Sequence, residues 1–166
     1  MTTTYETILL ETDERGVATV TLNRPDKHNA LNGTLIAELA DAAEKLAADD
    51  KVRTVILTGT GKVFSAGADL DEARAGLATS PVWERLSNSM ASIPCLKVAA
   101  LNGPLAGGAN GMVLACEIRI AAPSAKFFYP VMKLGSLPPP SDAGRLAALL
   151  GPARTKMILA AGQQIT

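Results

Sequence analysis

Apolar Ile8-Leu9-Leu10 and then Val17-Ala-Thr-Val-Thr-Leu22 read as two strands joined by Asp13-Glu14-Arg15-Gly16, a polar turn whose glycine suits positive φ. This predicts a hairpin. Asn23 to Leu31 follows as a loop, because Pro25 and a cluster of Asn and Asp end the ladder. Helical spacing then takes over across residues 33–48: Leu35, Leu39, Ala42, Ala43 and Leu46 share one face, Asn32 stands at the N-cap, and Glu38, Asp41, Glu44 and Lys45 make a solvated opposite face. Thr54-Val-Ile-Leu-Thr58 has no polar alternation, which predicts a strand covered on both sides. Pro81 opens a helix to residue 92, with Trp83, Leu86 and Met90 spaced for burial and Trp83 read as core.

Beyond it, residues 97–101 form a short apolar strand that turns at Asn102-Gly103-Pro104 and becomes helical from Gly107, with Met112, Val113 and Cys116 inward. Residues 117–122 and 126–129 are extended. Leu137-Pro-Pro-Pro140 excludes helix and central strand; Ser141 or Asp142 then caps a helix to residue 150, Gly151-Pro152 breaks it, and residues 153–161 form the last. The alternation of strands and helices, with no internal repeat, indicates an α/β domain with some parallel pairing.

The 166 residues suit a single domain over 1–166, and 48% hydrophobic content supplies a sizeable core. Sixteen basic and sixteen acidic residues cancel, so no global field draws the chain to nucleic acid or an anionic membrane. The start shows neither a basic nor an apolar targeting region and no stretch is long enough to span a bilayer, so the expectation is a soluble cytoplasmic protein. Cys95, Cys116 and a single histidine make no metal-ligand spacing; no metal is expected, and both cysteines read as small buried hydrophobes.

The candidate chemistry centres on Gly107-Gly108 at a strand-to-helix boundary. Without side chains, these residues let another molecule reach backbone N–H groups at the positive end of a helix, a place suited to a phosphate or a developing oxyanion. The alternative is that the glycines serve close packing of helix and strand. Ala106-Gly107-Gly108-Ala109-Asn110-Gly111 lacks the first glycine of a dinucleotide fingerprint, and Gly61-Lys62 is followed by Val63 rather than the hydroxyl residue of a phosphate loop. A Ser-His-Asp triad would have to use His28, the single histidine, and Ser65 is not in a G-x-S-x-G turn. His28 reads as an exposed loop residue. Ala68, in the small-residue loop Phe64-Ser-Ala-Gly-Ala-Asp-Leu70, is placed to present a free N–H.

Three segments in this order, Arg24-Pro25-x-Lys27-x-Asn29-Ala30-Leu31, Phe64-Ser65-Ala66-Gly67-Ala68-Asp69-Leu70, and Asn102-Gly103-x3-Gly107-Gly108 followed by Cys116-Glu117, resemble the crotonase (enoyl-CoA hydratase/isomerase) superfamily. The likeness runs on through Phe127, Leu134-Gly135 and Pro138 to Arg145-Leu146. It implies a spiral of ββα units, with coenzyme A present as part of an acyl-CoA thioester substrate rather than as a permanent cofactor. It also implies an oxyanion hole made by the N–H groups of Ala68 and Gly108 and stabilisation of a thioester enolate. The loops that hold CoA would be those of Arg24, Lys27, Asn29, Ala30 and Leu31, and of Ala66, Gly67, Asp69 and Leu70. Arg24 and Lys27 suit the CoA phosphates; each singly is equally a solvated loop cation.

The departures from the family are as informative. The two positions that carry glutamates in the hydratases are Gly111 and Val131, and the downstream positions that carry an acid or tyrosine in other members are Pro138 and Pro139. Asp142 stands where the hydratases have glycine. It reads first as a helix N-cap and second as an alternative acid or base, with Tyr129 and Asn110 as further groups within reach of substrate. These departures leave two readings, an acyl-CoA-processing lyase or isomerase and a catalytically inactive acyl-CoA-binding or scaffold subunit. The chain also stops where the family's C-terminal trimerisation helices begin. A homo-oligomer, trimer or hexamer, is therefore expected of a longer chain, and exposed apolar surface is expected at Met157, Ile158 and Leu159.

Overall fold

The alternating residues of Val17–Leu22 bury Ala18, Val20 and Leu22 on one face, and that face packs into the core. The computed structural model describes residues 4–166; residues 1–3, the first part of the polar start, lie outside the described residues. Strands β1 (Ile8–Thr12) and β2 (Val17–Leu22) form the antiparallel hairpin, and β2 pairs in parallel with β3 (Thr54–Gly59). Next in line is β4 (Leu96–Leu101), then, past the two-residue β5 (Leu105–Ala106), β6 (Ile118–Ala121), both parallel, so the sheet order is β1-β2-β3-β4-β6. β5 pairs in parallel with β7 (Phe127–Phe128) as a second, two-stranded sheet.

Each parallel crossover needs a helix. α1 (Gly33–Ala48) links β2 to β3, α2 (Leu70–Arg74) and α3 (Val82–Ser92) link β3 to β4, and α4 (Asn110–Leu114), entered through a 3-10 turn at Gly107–Ala109, lies between β5 and β6. α5 (Pro140–Leu159) ends the chain's regular structure and is kinked at Gly151, where φ is 78°. α1 begins as its sequence requires: the Asn32 side chain accepts the Leu35 N–H at 3.0 Å, and Leu35, Leu39, Ala42, Ala43 and Leu46 are buried.

Several expectations are corrected. β3 is fully buried on one face only, through Val55 and Leu57, while Ile56 and Thr58 are half-buried. The polar face of α1 is not simply solvated: Glu38 accepts the N–H groups of Glu6 and Thr7 at 2.7 and 2.8 Å, and Asp41 accepts the Tyr5 hydroxyl at 2.6 Å, tying the chain's start to the helix. α2 was not visible as a helix, because a single turn has no periodicity to read; it forms because the Asp69 side chain accepts the Asp71 N–H. Ile158 and Leu159 are buried with Leu114, Tyr129 and Leu146 in a small second core, and Met157 alone of the three named residues is exposed.

A buried lysine fastens one end of the sheet. Lys97, 3% exposed, donates Nζ to the carbonyls of Ile93 and Cys95 at 2.9 and 3.3 Å and pairs with Glu117 at 2.9 Å, so the end of α3 and the starts of β4 and β6 share one cation. Burial pushes the Glu117 carboxyl up, but its bonds from Lys97 outweigh this and hold it below the ordinary glutamate range. Lys97→Met keeps the apolar stem and loses these bonds. The expected cost is about 1–3 kcal/mol by urea unfolding at pH 7, below that of a fully buried pair because Glu117 is half in water. The Glu117 increment is present above the ordinary glutamate pKa and is lost as pH falls through the depressed one, so the wild-type advantage over the variant should shrink on acidification.

Candidate active site

β2, β3 and β4 run parallel and discharge their loops, residues 23–32, 60–69 and 102–104, at the same edge of the sheet. Such an edge is the usual place for a ligand in a parallel sheet. Here the loops are laced together. Buried Asn29 donates its Nδ2 to the carbonyls of Thr60 and Val63, both at 2.9 Å, and accepts the Arg24 N–H, while Asn102 accepts the Gly59 N–H and donates to Gly61. The N–H groups of Phe64 and Ser65 converge on the Pro104 carbonyl, and Leu31 donates its N–H to the Gly67 carbonyl and accepts the Asp69 N–H, forming an isolated parallel bridge with Ala68.

The lacing brings two glycines face to face. Gly67 (φ 89°) and Gly107 (φ 56°) both adopt the left-handed region, and a Cβ on Gly67 would sit 3.0 Å from the Ala106 carbonyl oxygen. Beside them, among the described residues, the N–H of Ala68 has no backbone acceptor, and that of Gly108 lies in the first turn of its helix, where no acceptor precedes it. Gly108 also lies flat on Trp83, since a Cβ there would come within 2.6 Å of the indole ring. Trp83 is therefore both core and cavity wall. Ala66, Ala68, Gly107, Gly108 and Trp83 border a cavity of about 500 Å³ whose lining is largely apolar and includes Leu70, Ala73, Phe128, Val131 and Leu137.

Next to this cavity lies a buried carboxylate. Asp142, 1% exposed, accepts the Ser87 hydroxyl at 2.6 Å on Oδ1 and the Tyr129 hydroxyl at 2.7 Å on Oδ2. It is not the helix cap that its position suggested. Glu84 of α3 takes the N–H and hydroxyl of Ser141 at the start of α5, which frees Asp142 to turn inward. The space comes from Gly111: a Cβ at that position would meet Ser87 Oγ and lie 2.6 and 2.7 Å from the two Asp142 oxygens. Burial pushes the Asp142 carboxyl above its ordinary range, against the opposing pull of the Ser87 and Tyr129 bonds and of Arg145, 4.0 Å away. Burial, and then the neighbouring Asp142, push the Tyr129 phenol upward as well.

The model of the enoyl-CoA hydratase/isomerase family matches residues 12–166. This chain belongs to that family. Among its relatives, a protein described as a probable enoyl-CoA hydratase of Mycobacterium tuberculosis is 37% identical over 164 residues, covering 96% of this chain and 63% of its own length. A 1,2-epoxyphenylacetyl-CoA isomerase of Escherichia coli is 33% identical over 162 residues, covering 92% of this chain and 62% of its own. The crystal structure of an enoyl-CoA hydratase/carnithine racemase from Magnetospirillum magneticum superposes with a TM-score of 0.88 at 33% identity, covering 98% of this chain and 63% of that one. The crotonase fold is thus established, and the chain spans a little under two thirds of the length of these relatives.

Within this family member, the positions named from sequence separate into two groups. Ala66, Ala68, Leu70 and Gly108 border the cavity, with Gly67 beneath them. Asn29 and Leu31 are fully buried, and Ala30 gives its carbonyl to Arg24 at 2.5 Å, so these three hold the loops together. Arg24 is no solvated cation: it also reaches Asp69 at 3.4 Å, and Asp69 caps α2. Lys27 and His28 are exposed. Val131 sits in the cavity wall and Gly111 behind it, against Asp142. Sequence reasoning passed over Ser87, although Trp83, Ser87 and Met90 at i, i+4 and i+7 put a hydroxyl in a buried stripe, where it must find a partner. Among the described residues, no helix is long and apolar enough to cross a membrane.

The raised Asp142 carboxyl has a testable sign. Its neutral form is favoured in the folded protein, so its contribution to stability is complete below the ordinary aspartate pKa and is lost as pH rises through the raised one. Asp142→Asn cannot ionise. Its urea midpoint relative to wild type should therefore increase steadily from acid to neutral pH, and a constant difference would contradict the assignment.

Proposed function

We propose that this protein binds an acyl-CoA thioester with its carbonyl oxygen between the N–H groups of Ala68 and Gly108, and stabilises the enolate formed there. The observation that carries the reading is the pair of uncommitted N–H groups beside Gly67 and Gly107, at a cavity of the right scale for an acyl chain. Oxyanion donors work because they are fixed before charge develops, and the laced loops supply that rigidity. The largely apolar cavity wall favours an apolar acyl group. Lys27, exposed at the end of the 3-10 turn Pro25–Lys27, is the residue we assign to a CoA phosphate; Arg24, committed to Ala30 and Asp69, shapes the loop instead.

Proton transfer falls to Asp142 in this reading. Its carboxylate lies where a side chain at Gly111 would begin, so a different element delivers an acid to the place left empty at that position. A second reading, an acyl-CoA-binding or scaffold subunit without turnover, draws on Gly111 and Val131 themselves, neither of which can move a proton. Homo-oligomerisation belongs to the same proposal.

The test is incubation with saturated, 2-enoyl and 3-enoyl CoA thioesters, following binding by calorimetry and products by mass spectrometry. Ala68→Pro deletes one donor without breaking a hydrogen bond, and should lower kcat by about 10²–10³ while affinity changes far less. Turnover unchanged in Ala68→Pro would sink the oxyanion assignment. Binding with no product from any thioester would favour the scaffold reading.

A further inference from the structure

Each of the two N–H groups at the cavity is one end of a peptide unit whose other end is the carbonyl of the residue before it. Among the described residues every peptide is trans, so the C=O and N–H of one unit point in opposite directions. Whatever grips the carbonyl therefore aims the N–H. For Ala68 the grip is backbone alone: the Gly67 carbonyl accepts the Leu31 N–H at 2.7 Å. For Gly108 the corresponding carbonyl is that of Gly107, and a single residue takes it twice. The Asn110 backbone N–H bonds to it, and the Asn110 side chain donates Nδ2 to it at 2.6 Å.

The second unit needs such a grip more than the first. Gly107 and Gly108 flank it without a Cβ on either side, so no side chain of its own resists rotation of the peptide plane. Larger residues cannot stiffen it either: Gly107 sits at φ 56°, and a Cβ on Gly108 would come within 2.6 Å of the Trp83 ring. Restraint has to come from outside the two glycines. Asn110 is 0% exposed and does not border the cavity, so the contact with substrate expected from its place in the sequence is not made. Its Nδ2 also reaches the Phe128 carbonyl at 3.1 Å, which anchors the side chain on β7. Its Oδ1 is buried with no hydrogen-bond partner among the described residues. An unpaired buried polar atom costs about 1–3 kcal/mol, which an apolar side chain of similar size would avoid. The residue is used for its donors, while its acceptor is left idle.

We propose that Asn110 is a positioning residue: by holding the Gly107 carbonyl from β7 it aims the Gly108 N–H at the carbonyl oxygen of a bound thioester. The inference rests on the acyl-CoA reading and deepens it. Preorganised donors act through their fixed direction, so a peptide plane free to rotate would lose much of its effect on a developing oxyanion. Ala68 is aimed separately, through Leu31, and loss of the Asn110 side chain disarms one donor of the two.

The thioester carbonyl reports on its donors directly. Butanoyl-CoA, isotope-labelled at the carbonyl carbon, is bound to wild type, Asn110→Leu, Asn110→Ala and Lys97→Met. The carbonyl stretch is read by infrared difference spectroscopy, and affinity by calorimetry on the same samples. Wild type should move the stretch to lower frequency than in water. Both Asn110 variants should lose roughly half of that shift with affinity nearly unchanged, because the Ala68 donor stays in place. Lys97→Met weakens the opposite end of the sheet, at the start of β4, and should keep the whole shift. The wild-type shift in both Asn110 variants would overturn the positioning role and leave the acyl-CoA reading standing; an equal loss in Lys97→Met would overturn it too, as an effect of stability alone. Should neither Asn110 variant fold, wild type decides by NMR: scalar coupling across the hydrogen bond from Asn110 Nδ2 to the Gly107 carbonyl is expected, and its absence would overturn the proposal. Wild type that binds the thioester without a shift, or binds none, would remove the oxyanion or the acyl-CoA reading respectively, and this inference with it.

Discussion

Loops at the carboxyl edge of a parallel sheet have no ladder to join, and when they are buried every polar backbone group in them needs another partner. That constraint organises this protein. Asn29 and Asn102 act as surrogate strands, offering amide groups where no neighbouring backbone is available, and the Pro104 carbonyl gathers two N–H groups at once. The turns at Gly67 and Gly107 follow from the same closeness, because the two backbones approach nearly to van der Waals contact. Against this background of satisfied groups, the free N–H groups of Ala68 and Gly108 gain their meaning.

The buried carboxylate is the second organising feature, and it works against stability. Ionised Asp142 forfeits solvation that two hydroxyls and a guanidinium 4.0 Å away restore only in part. Arg145 Nη1 is itself buried without a hydrogen-bond partner among the described residues, so the α3–α5 contact holds a polar cluster that a packed apolar set would outperform as mere core. A cluster of this kind beside a cavity is a common mark of a functional site. It also links the two cores, because Tyr129 belongs to the smaller one while Ser87 rises from a helix of the larger.

Much of the fold was legible along the chain. The hairpin, α1 with its Asn32 cap, the strands after residues 54 and 96, and the break at Gly151 all follow from patterns within one or two turns of chain. The ordered motifs led to the family, and with it the crotonase fold, since they concern glycines and small residues whose role is local backbone shape. α2 escaped because one turn has no period, and β3 misled because its outer face, Thr54, Ile56 and Thr58, is β-branched and uncharged and so gives no clear polar alternation.

The site divides along the same line. Sequence by itself determined where the chain would turn, which residues carry no side chain at those turns, and that Gly111 and Val131 hold no acid. Tertiary structure alone decided that Glu84 would cap α5, that Asp142 would therefore face inward, and that its carboxylate would fill the space above Gly111 between Ser87 and Tyr129. The reason is separation: Ser87 and Asp142 meet across 55 residues. A hydrogen bond between side chains on two packed helices depends on how those helices cross, and no pattern within either helix encodes that.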